Sequence, residues 1–220
     1  MNRQANFSKP LDIVIPVYNE GDNIVEVLES LRRSVNTPYR VLICYDRDDD
    51  TTLTALDAYP NRALSEVILV KNRIGGVCGA VLTGFADSIA PAVMVYCADD
   101  PNNATRVDLM YEQLVEGRDM VIGSRFSPGG CMSGCPPLKS LRVRTAPFTL
   151  SRFAALSVSD PTNGVRVYSR RLLEGINIES CHGWSFNLEL LVKAVRSGYW
   201  VGEFPYRHLE RTQGESRFRV

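Results

Sequence analysis

Residues 11–20 read LDIVIPVYNE, and this segment decides the fold of the chain. Its first six residues form a mainly apolar run that ends at a proline, as expected of a buried strand. A helical pattern with one apolar face follows over residues 24–33. The same alternation continues, with further strands expected at 39–45, 66–71, 92–97 and 120–124 and helices at 51–59, 77–88 and 104–116. It predicts parallel βαβ units, and therefore an α/β fold with a mostly parallel central sheet flanked by helices.

The second half of the chain has a less regular pattern. Residues 125–137 form a loop rich in glycine and proline, which we interpret as a lid. After it we expect a helix at 138–156, a strand at 164–168, a helix at 186–196 and a strand at 200–205. With 220 residues, the chain fits one large domain better than two small ones.

The composition excludes several classes of protein. The formal net charge is zero, so no overall field attracts nucleic acid or an anionic membrane, and we expect no nucleic-acid partner. No apolar run approaches the roughly 18 residues of a membrane span. Residues 1–10 lack the apolar core of a secretory signal. We therefore expect a cytoplasmic protein.

The six cysteines are scattered along the chain rather than arranged in close pairs. Cys131 and Cys135 lie in the Gly/Pro-rich loop, where a zinc site is one interpretation. Only His182 and His208 would complete that site, and neither has the usual ligand spacing, so reduced structural cysteines are favoured.

Polar and charged side chains follow four of the predicted strands at the point where each strand ends. In open parallel sheets, ligands bind outside the carboxyl ends of the strands. We therefore expect four loops to converge on one rim: Tyr18-Asn19-Glu20, Asp46 to Asp50, Asn72-Arg73 and Asp99-Asp100.

Asp99 and Asp100 are the strongest single signal on this rim. Two adjacent carboxylates at the end of a buried strand repel each other and lose solvation unless a cation compensates them. Mg²⁺ or Mn²⁺ would bind one or two carboxylates and complete its shell with substrate phosphates. The alternative is a plain turn, which the sequence Asp-Pro-Asn-Asn favours. A turn leaves the second acidic cluster, at 46–50, unexplained.

Two common nucleotide-binding signatures are absent from the sequence. A dinucleotide fold would place G-x-G-x-x-G after the first strand, where Val17-Tyr18-Asn19-Glu20 stands instead. No G-x-x-x-x-G-K-[ST] occurs either. A sugar nucleotidyltransferase would need a glycine-rich triphosphate loop at the same point, so that class is disfavoured.

An ordered series of motifs runs along the chain. The motifs, in order, are IVIPVYNE at 13–20, Y-D-x-D-x-D-x-T at 45–52, N-x-x-G at 72–75 with Ala80 and Gly84, ADD at 98–100, GSR at 123–125, D-x-x-x-G-x-R at 160–166, F-x-x-E-L at 186–190, E-x-P at 203–205 and R-x-x-G-x-S at 211–216. This series resembles the family 2 glycosyltransferases of the GT-A fold. The resemblance covers nearly the whole chain, and its second half is most similar to dolichyl-phosphate mannosyltransferases and their bacterial polyprenyl-phosphate relatives.

The resemblance implies a donor site in residues 1–124 and an acceptor-binding half in residues 125–220 of one domain, 1–220. Asp99 and Asp100 match the metal-binding D-x-D motif, which implies Mg²⁺ or Mn²⁺. The residues that it implies around the nucleotide are Pro16, Tyr18, Glu20, Asp46, Asn72 and Asp99.

The resemblance also implies a catalytic set. Arg125, Arg144 and Arg211 would face phosphates, for which the guanidinium fork is suited, and no acidic residue lies between Arg125 and Ser159. Asp160 would face the acceptor and take a proton if the acceptor is a hydroxyl. The alternatives are solvated surface charges for the arginines and an N-cap or turn for Asp160.

The implied activity is the inverting transfer of a hexose from a UDP- or GDP-hexose to a polyprenyl phosphate, a dolichyl phosphate or a glycan precursor. Three arrangements stay open: peripheral contact with the cytoplasmic face of a membrane, a membrane-bound partner, or a soluble acceptor. Cys97 stands where the family carries the first acid of D-x-D, and Tyr45 and Arg47 replace the usual residues of the second motif. These departures motivate the alternative of a nucleotide-sugar-binding member with weakened catalysis.

Overall fold

The structure is a computed structural model that describes residues 9–61, 66–133, 156, 158–180 and 182–209. It confirms the predicted alternation of strands and helices in the first half. The strands are β1 (Leu11–Pro16), β2 (Tyr39–Tyr45), β3 (Val67–Lys71), β4 (Ala92–Val95), β5 (Met120–Ser124), β6 (Cys131–Ser133), β7 (Arg166–Ser169), β8 (Val201–Pro205) and β9 (Arg207–Leu209). The helices are α1 (Gly21–Ser34), α2 (Thr51–Asp57), α3 (Gly76–Asp87), α4 (Val107–Val115), α5 (Arg170–Gly175) and α6 (Ser185–Arg196), and a 3-10 turn at Ala104–Arg106 precedes α4.

Seven strands form the central sheet, in the order β3-β2-β1-β4-β7-β5-β8. Strands β1 to β4 pair in parallel, as do β5 and β8. Strand β7 alone runs antiparallel, and it lies between β4 and β5. The predicted α/β class with a mostly parallel sheet is therefore confirmed.

The two faces of the sheet are covered by separate apolar clusters. On one face, Ile13 and Ile15 of β1 belong to a buried cluster with α1 and α4. On the other face, Val14 packs in a cluster that contains α3, α5 and α6. Successive side chains of a strand point to opposite faces, so a strand buried on both sides is mainly apolar. In β1 the one charged side chain, Asp12, is buried and paired with Arg40. This double cover holds the strand ends, and the loops that follow them, in fixed positions.

Several elements of the second half differ from the sequence-based expectation. Residues 131–133, which were expected to form part of a loop, form β6 and pair in parallel with β9. The strand expected at 164–168 is β7, displaced to Arg166–Ser169, and the short helix α5 follows it directly. Strand β4 ends at Val95, two residues early. Most of the helix expected at 138–156 lies outside the described residues, and Leu156 itself is buried without helical structure. Within the part of the chain that the structure describes, no helix has the length and apolarity that crossing a bilayer requires.

Candidate active site at the carboxyl edge of the sheet

The loop after β1 is tied to the start of α2. Asp50 is buried, and its carboxylate accepts hydrogen bonds from the main-chain N of Asn19 at 3.0 Å and from that of Thr52 at 2.9 Å. The Asn19 side chain accepts in return from Thr51 N at 3.1 Å, and Asn19 adopts a positive φ of 55°. Asp50 is therefore both the N-cap of α2 and the anchor of the Tyr18–Glu20 turn.

Three predicted nucleotide-binding residues lie on this anchored turn or just before it. Pro16 is half-buried at the end of β1, Tyr18 is 49% exposed, and Glu20 is half-buried. The Glu20 carboxylate accepts from the Asn23 side chain at 2.8 Å, at the start of α1. An exposed aromatic ring and a carboxylate on one turn are suited to a ribose or base, and the roles of these residues stay predictions.

Asp46 and Asn72 join the ends of β2 and β3 to the start of α3. The Asn72 side-chain amide donates to Asp46 Oδ1 at 2.5 Å, and Gly76 N donates to Asp46 Oδ2 at 2.9 Å. The Asn72 Oδ1 accepts from the main-chain N of Ile74 and of Gly75. Gly75 and Gly76 have φ values of 100° and 70°, a conformation that glycine adopts without steric cost. The structure thus brings Asp46 and Asn72 together, as predicted for one rim.

Asp99 and Asp100 follow β4, in the middle of the sheet, and both are half-buried. The turn is tight, because Asp100 N donates to Cys97 O at 3.4 Å. The Asp100 carboxylate accepts from the main-chain N of Asn102 and Asn103, from the Asn103 amide and from the Tyr206 hydroxyl. Burial raises the pKa of the Asp100 carboxyl, although the hydrogen bonds from Tyr206 and Asn103 oppose that shift. Both the turn and the acidic pair expected from the sequence are present.

The acidic pair fits a cation only if other groups complete the shell. Among the described residues, no cluster of three histidine, cysteine or acidic side chains surrounds a common point. Mg²⁺ and Mn²⁺ accept this arrangement, because they bind through one or two carboxylates together with phosphates and water. Asn103 is unsuited as the extra ligand, since its side-chain oxygen accepts from Arg207 N at 3.2 Å and its amide donates to Asp100.

Arg125 and Asp160 form a bidentate ion pair at the same edge. Arg125 Nε lies 2.7 Å from Asp160 Oδ2, and Nη2 lies 2.8 Å from Oδ1. The Arg125 main-chain N also donates to Asp160, and Thr162 binds both side chains. The sequence predicts a phosphate contact for Arg125 and gives no sign of its pairing with Asp160. Within the described residues, Nη1 is the guanidinium nitrogen that no acceptor binds.

The environment of Asp160 argues against its predicted role as a general base. Its side chain is fully buried, and both oxygens already accept hydrogen bonds. Burial alone would raise the pKa of Asp160, but the hydrogen bonds and charge of Arg125 outweigh it and lower the pKa below its usual value. A carboxylate with a lowered pKa and no open face is a weak proton acceptor.

Sequence reasoning missed two residues that hold the Asp160 loop. The Glu203 carboxylate on β8 accepts from the main-chain N of Ser159 at 2.8 Å and of Asp160 at 2.9 Å. Arg166 is fully buried and donates to three main-chain carbonyls, including Pro161 O at 2.6 Å. Both residues belong to motifs quoted above, so the signal was present, but a motif does not say which loop a side chain supports. Two further predicted arginines, Arg144 and Arg211, lie outside the described residues.

Known proteins share both the sequence pattern and the fold of this chain. The sequence model of the family described as glycosyl transferase family 2 matches residues 12–176. A polyprenol monophosphomannose synthase from Mycolicibacterium smegmatis is 27% identical over 215 residues, which cover 93% of this chain and 79% of that protein. A dolichol-phosphate mannosyltransferase from Pyrococcus furiosus is 24% identical over 213 residues, which cover 95% of this chain and 59% of that protein.

Solved structures show the same fold. Glucosyl-3-phosphoglycerate synthase from Mycobacterium tuberculosis, crystallised with Mn²⁺, UDP and phosphoglyceric acid, superposes with a TM-score of 0.71. Its sequence is 17% identical, and the match covers 95% of this chain and 72% of that one. The likeness in structure shows the GT-A fold, and the match of the family model to residues 12–176 shows the family to which the chain belongs. The chain is therefore an enzyme of glycosyl transferase family 2.

Proposed function

We propose that the chain transfers a hexose from a nucleoside diphosphate sugar to a lipid phosphate, with inversion at the anomeric carbon. The observation that carries the proposal is the position of Asp99 and Asp100 at the end of β4. On one side of β4 lie β1, β2 and β3, whose loops carry the candidate nucleotide residues. On the other side lie β7 and β5. Asp160 lies in the loop that precedes β7, and Arg125 directly follows β5.

The antiparallel strand β7 supports this arrangement. Because β7 runs opposite to its neighbours, the residues that precede it lie at the carboxyl edge of the parallel strands. Asp160 therefore reaches the same edge as Asp99, although the two belong to different halves of the sequence. We assign residues 1–124 to the donor and residues 125–220 to the acceptor within one domain.

In the proposed mechanism the donor lies across the loops after β1, β2, β3 and β4. Glu20 and Asp46 orient the nucleoside, and the Asp46–Asn72 pair keeps the turn at Gly75–Gly76 in place. When bound at the acidic pair, Mg²⁺ or Mn²⁺ supplies Lewis-acid stabilisation of the leaving diphosphate. Arg125, held by Asp160, offers the N–H groups of its Nη1 to the diphosphate from a fixed position, which costs no reorganisation during the reaction.

The buried state of Asp160 supports the proposal of a phosphate acceptor. A hydroxyl acceptor needs a base within hydrogen-bond reach, whereas a phosphate oxygen is already ionised near neutral pH. Asp160 is enclosed by Arg125 and Thr162, so we assign it the task of positioning Arg125 rather than of taking a proton. A phosphate acceptor agrees with the activities after which two relatives are named, a polyprenol monophosphomannose synthase and a dolichol-phosphate mannosyltransferase. A lipid acceptor requires contact with a membrane, which we propose to be peripheral or through a membrane-bound partner, at the cytoplasmic face.

The test of the proposed function begins with donor binding. Thermal unfolding is followed with UDP-, GDP- and dTDP-sugars, each with Mn²⁺ and with EDTA. A donor at about 100 times its dissociation constant stabilises the folded state by about 2.7 kcal/mol, which corresponds to a shift in Tm of roughly 5–10 °C. We expect one nucleotide class to give this shift with Mn²⁺ and to lose most of it with EDTA.

The second step of the test is turnover with the selected donor and a short-chain polyprenyl phosphate, measured as released nucleoside diphosphate. Asp99→Asn is expected to abolish release, and Asp57→Asn, at the end of α2, serves as the control. Full activity of Asp99→Asn with unchanged dependence on Mn²⁺ would refute the metal assignment.

A second candidate is a nucleotide-sugar-binding member without turnover. It is favoured by Cys97, which is half-buried beside Asp99 at the position where relatives carry an acid. This candidate predicts the same thermal shift with the donor but no released diphosphate with lipid phosphates or with cell extracts as the source of acceptor.

A further inference from the structure

The Glu203 carboxylate binds the start of the loop that carries Asp160. Its Oε1 accepts from the main-chain N of Ser159 at 2.8 Å and from that of Asp160 at 2.9 Å. The Ser159 hydroxyl also donates to Glu203, at 3.0 Å from Oε1 and 2.9 Å from Oε2. Glu203 lies on β8, opposite Ile122 of the neighbouring strand β5. One side chain of β8 therefore fixes two consecutive residues of the loop.

A chain of hydroxyl groups connects Glu203 to Ser124, the residue directly before Arg125. The hydroxyl oxygens of Ser159 and Ser124 lie 3.0 Å apart. An ionised carboxylate only accepts hydrogen bonds, and a serine hydroxyl has one proton to donate. Ser159 therefore donates to Glu203, and Ser124 donates to Ser159. The Ser124 oxygen in turn accepts from the main-chain N of Ser127 at 3.0 Å, which closes the turn that contains Arg125.

Arg125 is thus held along two routes that both begin at Glu203. One route runs through the main chain of Asp160 to its carboxylate, which binds Arg125 Nε at 2.7 Å and Nη2 at 2.8 Å. The other route runs through the Ser159 hydroxyl to Ser124 and from there to the main chain of Arg125. Asp160 and Ser124 are fully buried. Because close-packed groups transmit displacements, a shift of the loop start moves the guanidinium as well.

We propose that Glu203 is a positioning residue for the transfer reaction, which sets through Asp160 and Ser159 the orientation in which Arg125 meets the diphosphate. The inference rests on the proposed function for the contact between Arg125 and phosphate. It adds a residue of β8 that touches no substrate and still determines turnover. Glu203 acts by accepting hydrogen bonds, so a neutral acceptor of the same shape can replace it. A role as a base or as a fixed charge would require the carboxylate itself.

The first test needs no ligand and observes the Nε–H group of Arg125 by NMR in protein labelled with ¹⁵N-arginine. Arg125→Lys identifies the signal, and slow exchange with water is expected, because Nε donates to the buried Asp160. Glu203→Ala removes the acceptor and is expected to abolish the slowly exchanging signal. Glu203→Gln is expected to keep it, since one amide oxygen can accept both main-chain N–H groups.

Two further variants complete this test. Glu174→Gln, at an exposed position of α5, is the control and should leave the Arg125 signal unchanged. If Glu203→Ala does not fold, Glu203→Asp takes its place, because its shorter side chain keeps the charge but withdraws the acceptor from the loop. A signal that persists in Glu203→Ala, or in Glu203→Asp where that variant replaces it, would overturn the inference.

The second test measures turnover of the selected donor with a short-chain polyprenyl phosphate. Glu203→Ala is expected to lower kcat by about 10- to 100-fold, as for a displaced catalytic group, and Glu203→Gln to retain most of it. In an Arg125→Lys background, which lacks the guanidinium fork, Glu203→Ala should lower kcat much less, because both changes act on one contact.

The outcomes of the second test separate three roles of Glu203. A purely structural role would lower turnover by the same factor in both backgrounds, and equal losses in Glu203→Gln and Glu203→Ala would mean that the carboxylate itself takes part. Either result contradicts the positioning role. Wild-type protein without turnover would instead contradict the proposed function, and the NMR signal would still decide whether Glu203 holds Arg125.

Discussion

The buried ion pair between Arg125 and Asp160 gives the sharpest prediction for a single residue. Asp160→Asn leaves the guanidinium, which is 15% exposed, without its charge partner. Breaking such a pair from one side costs about 3 kcal/mol or more, so we expect a loss of this size in the free energy of unfolding, measured with urea. Asp49→Asn is the matched control, because its pair with Arg47 is exposed to solvent and contributes little to stability. Equal effects of the two changes would refute the structural role of Asp160.

The same pair predicts a dependence of stability on pH. The pKa of Asp160 is lowered in the folded protein, because the hydrogen bonds and charge of Arg125 outweigh the effect of burial. The carboxylate therefore contributes stability above its unfolded pKa of about 3.9, and the contribution is lost as the pH falls through the lower folded value. The difference in unfolding free energy between wild type and Asp160→Asn should stay constant from about pH 7 to 5 and shrink below about pH 4. A difference that grows on acidification would contradict this assignment.

The sequence predicted the kind of residue at the site better than the partner of each residue. The rim with Asp46, Asn72 and Asp99 could be predicted from the sequence, because the carboxyl ends of parallel strands share one edge. The stretch without acids after Arg125 suggested a phosphate partner, which stays a prediction, and it did not indicate that Arg125 also pairs with the next acid, Asp160. That contact depends on the chain reversing direction into β7, which local sequence does not encode. Tyr206 was missed for the same reason, since its hydroxyl meets Asp100 across more than a hundred residues of sequence.

Helix α3 packs so closely on the sheet that it requires glycine at position 84. A Cβ atom there would lie 2.5 Å from Val14 Cγ1 and 2.9 Å from Cys44 Sγ. Alanine has a helix propensity better than that of glycine by about 1 kcal/mol, but overpacking a core costs about 1–3 kcal/mol. We expect Gly84→Ala to lower the free energy of unfolding by up to about 2 kcal/mol. Ala86→Gly, at an exposed position of α3, is the control and should cost about 1 kcal/mol. Stabilisation by Gly84→Ala would show that the contact is loose.

Elements with a strong periodic pattern were predictable, and short ones were not. Strands β1 and β2 have the predicted bounds, because apolar residues cover both faces of each strand. Strand β6 has three residues within a segment rich in glycine and proline, and it exists because β9 pairs with it. Local propensity is weak over three residues, so tertiary pairing decides such a strand.

The whole molecule shares one sheet between the two halves of the sequence. Strands β7 and β8 come from the second half and flank β5 from the first. We therefore expect one unfolding transition in urea, with coincident midpoints for far-UV circular dichroism and tryptophan fluorescence. Tryptophan fluorescence reports on the second half alone, because both tryptophans, Trp184 and Trp200, lie there, whereas circular dichroism reports on the whole chain. Separate midpoints would mean that residues 1–124 and 125–220 fold as independent units.

The central place of β7 also has a consequence during synthesis of the protein. When β4 and β5 have left the ribosome, the strand that separates them has not yet been translated. The nascent chain then presents two apolar strand edges that face a gap, and such edges pair readily with other chains. The gap closes only when Arg166–Ser169 arrives, so co-translational protection by chaperones matters most over the interval between β5 and β7. A ribosomal pause in this interval would prolong the aggregation-prone state, whereas a pause after β8 would not.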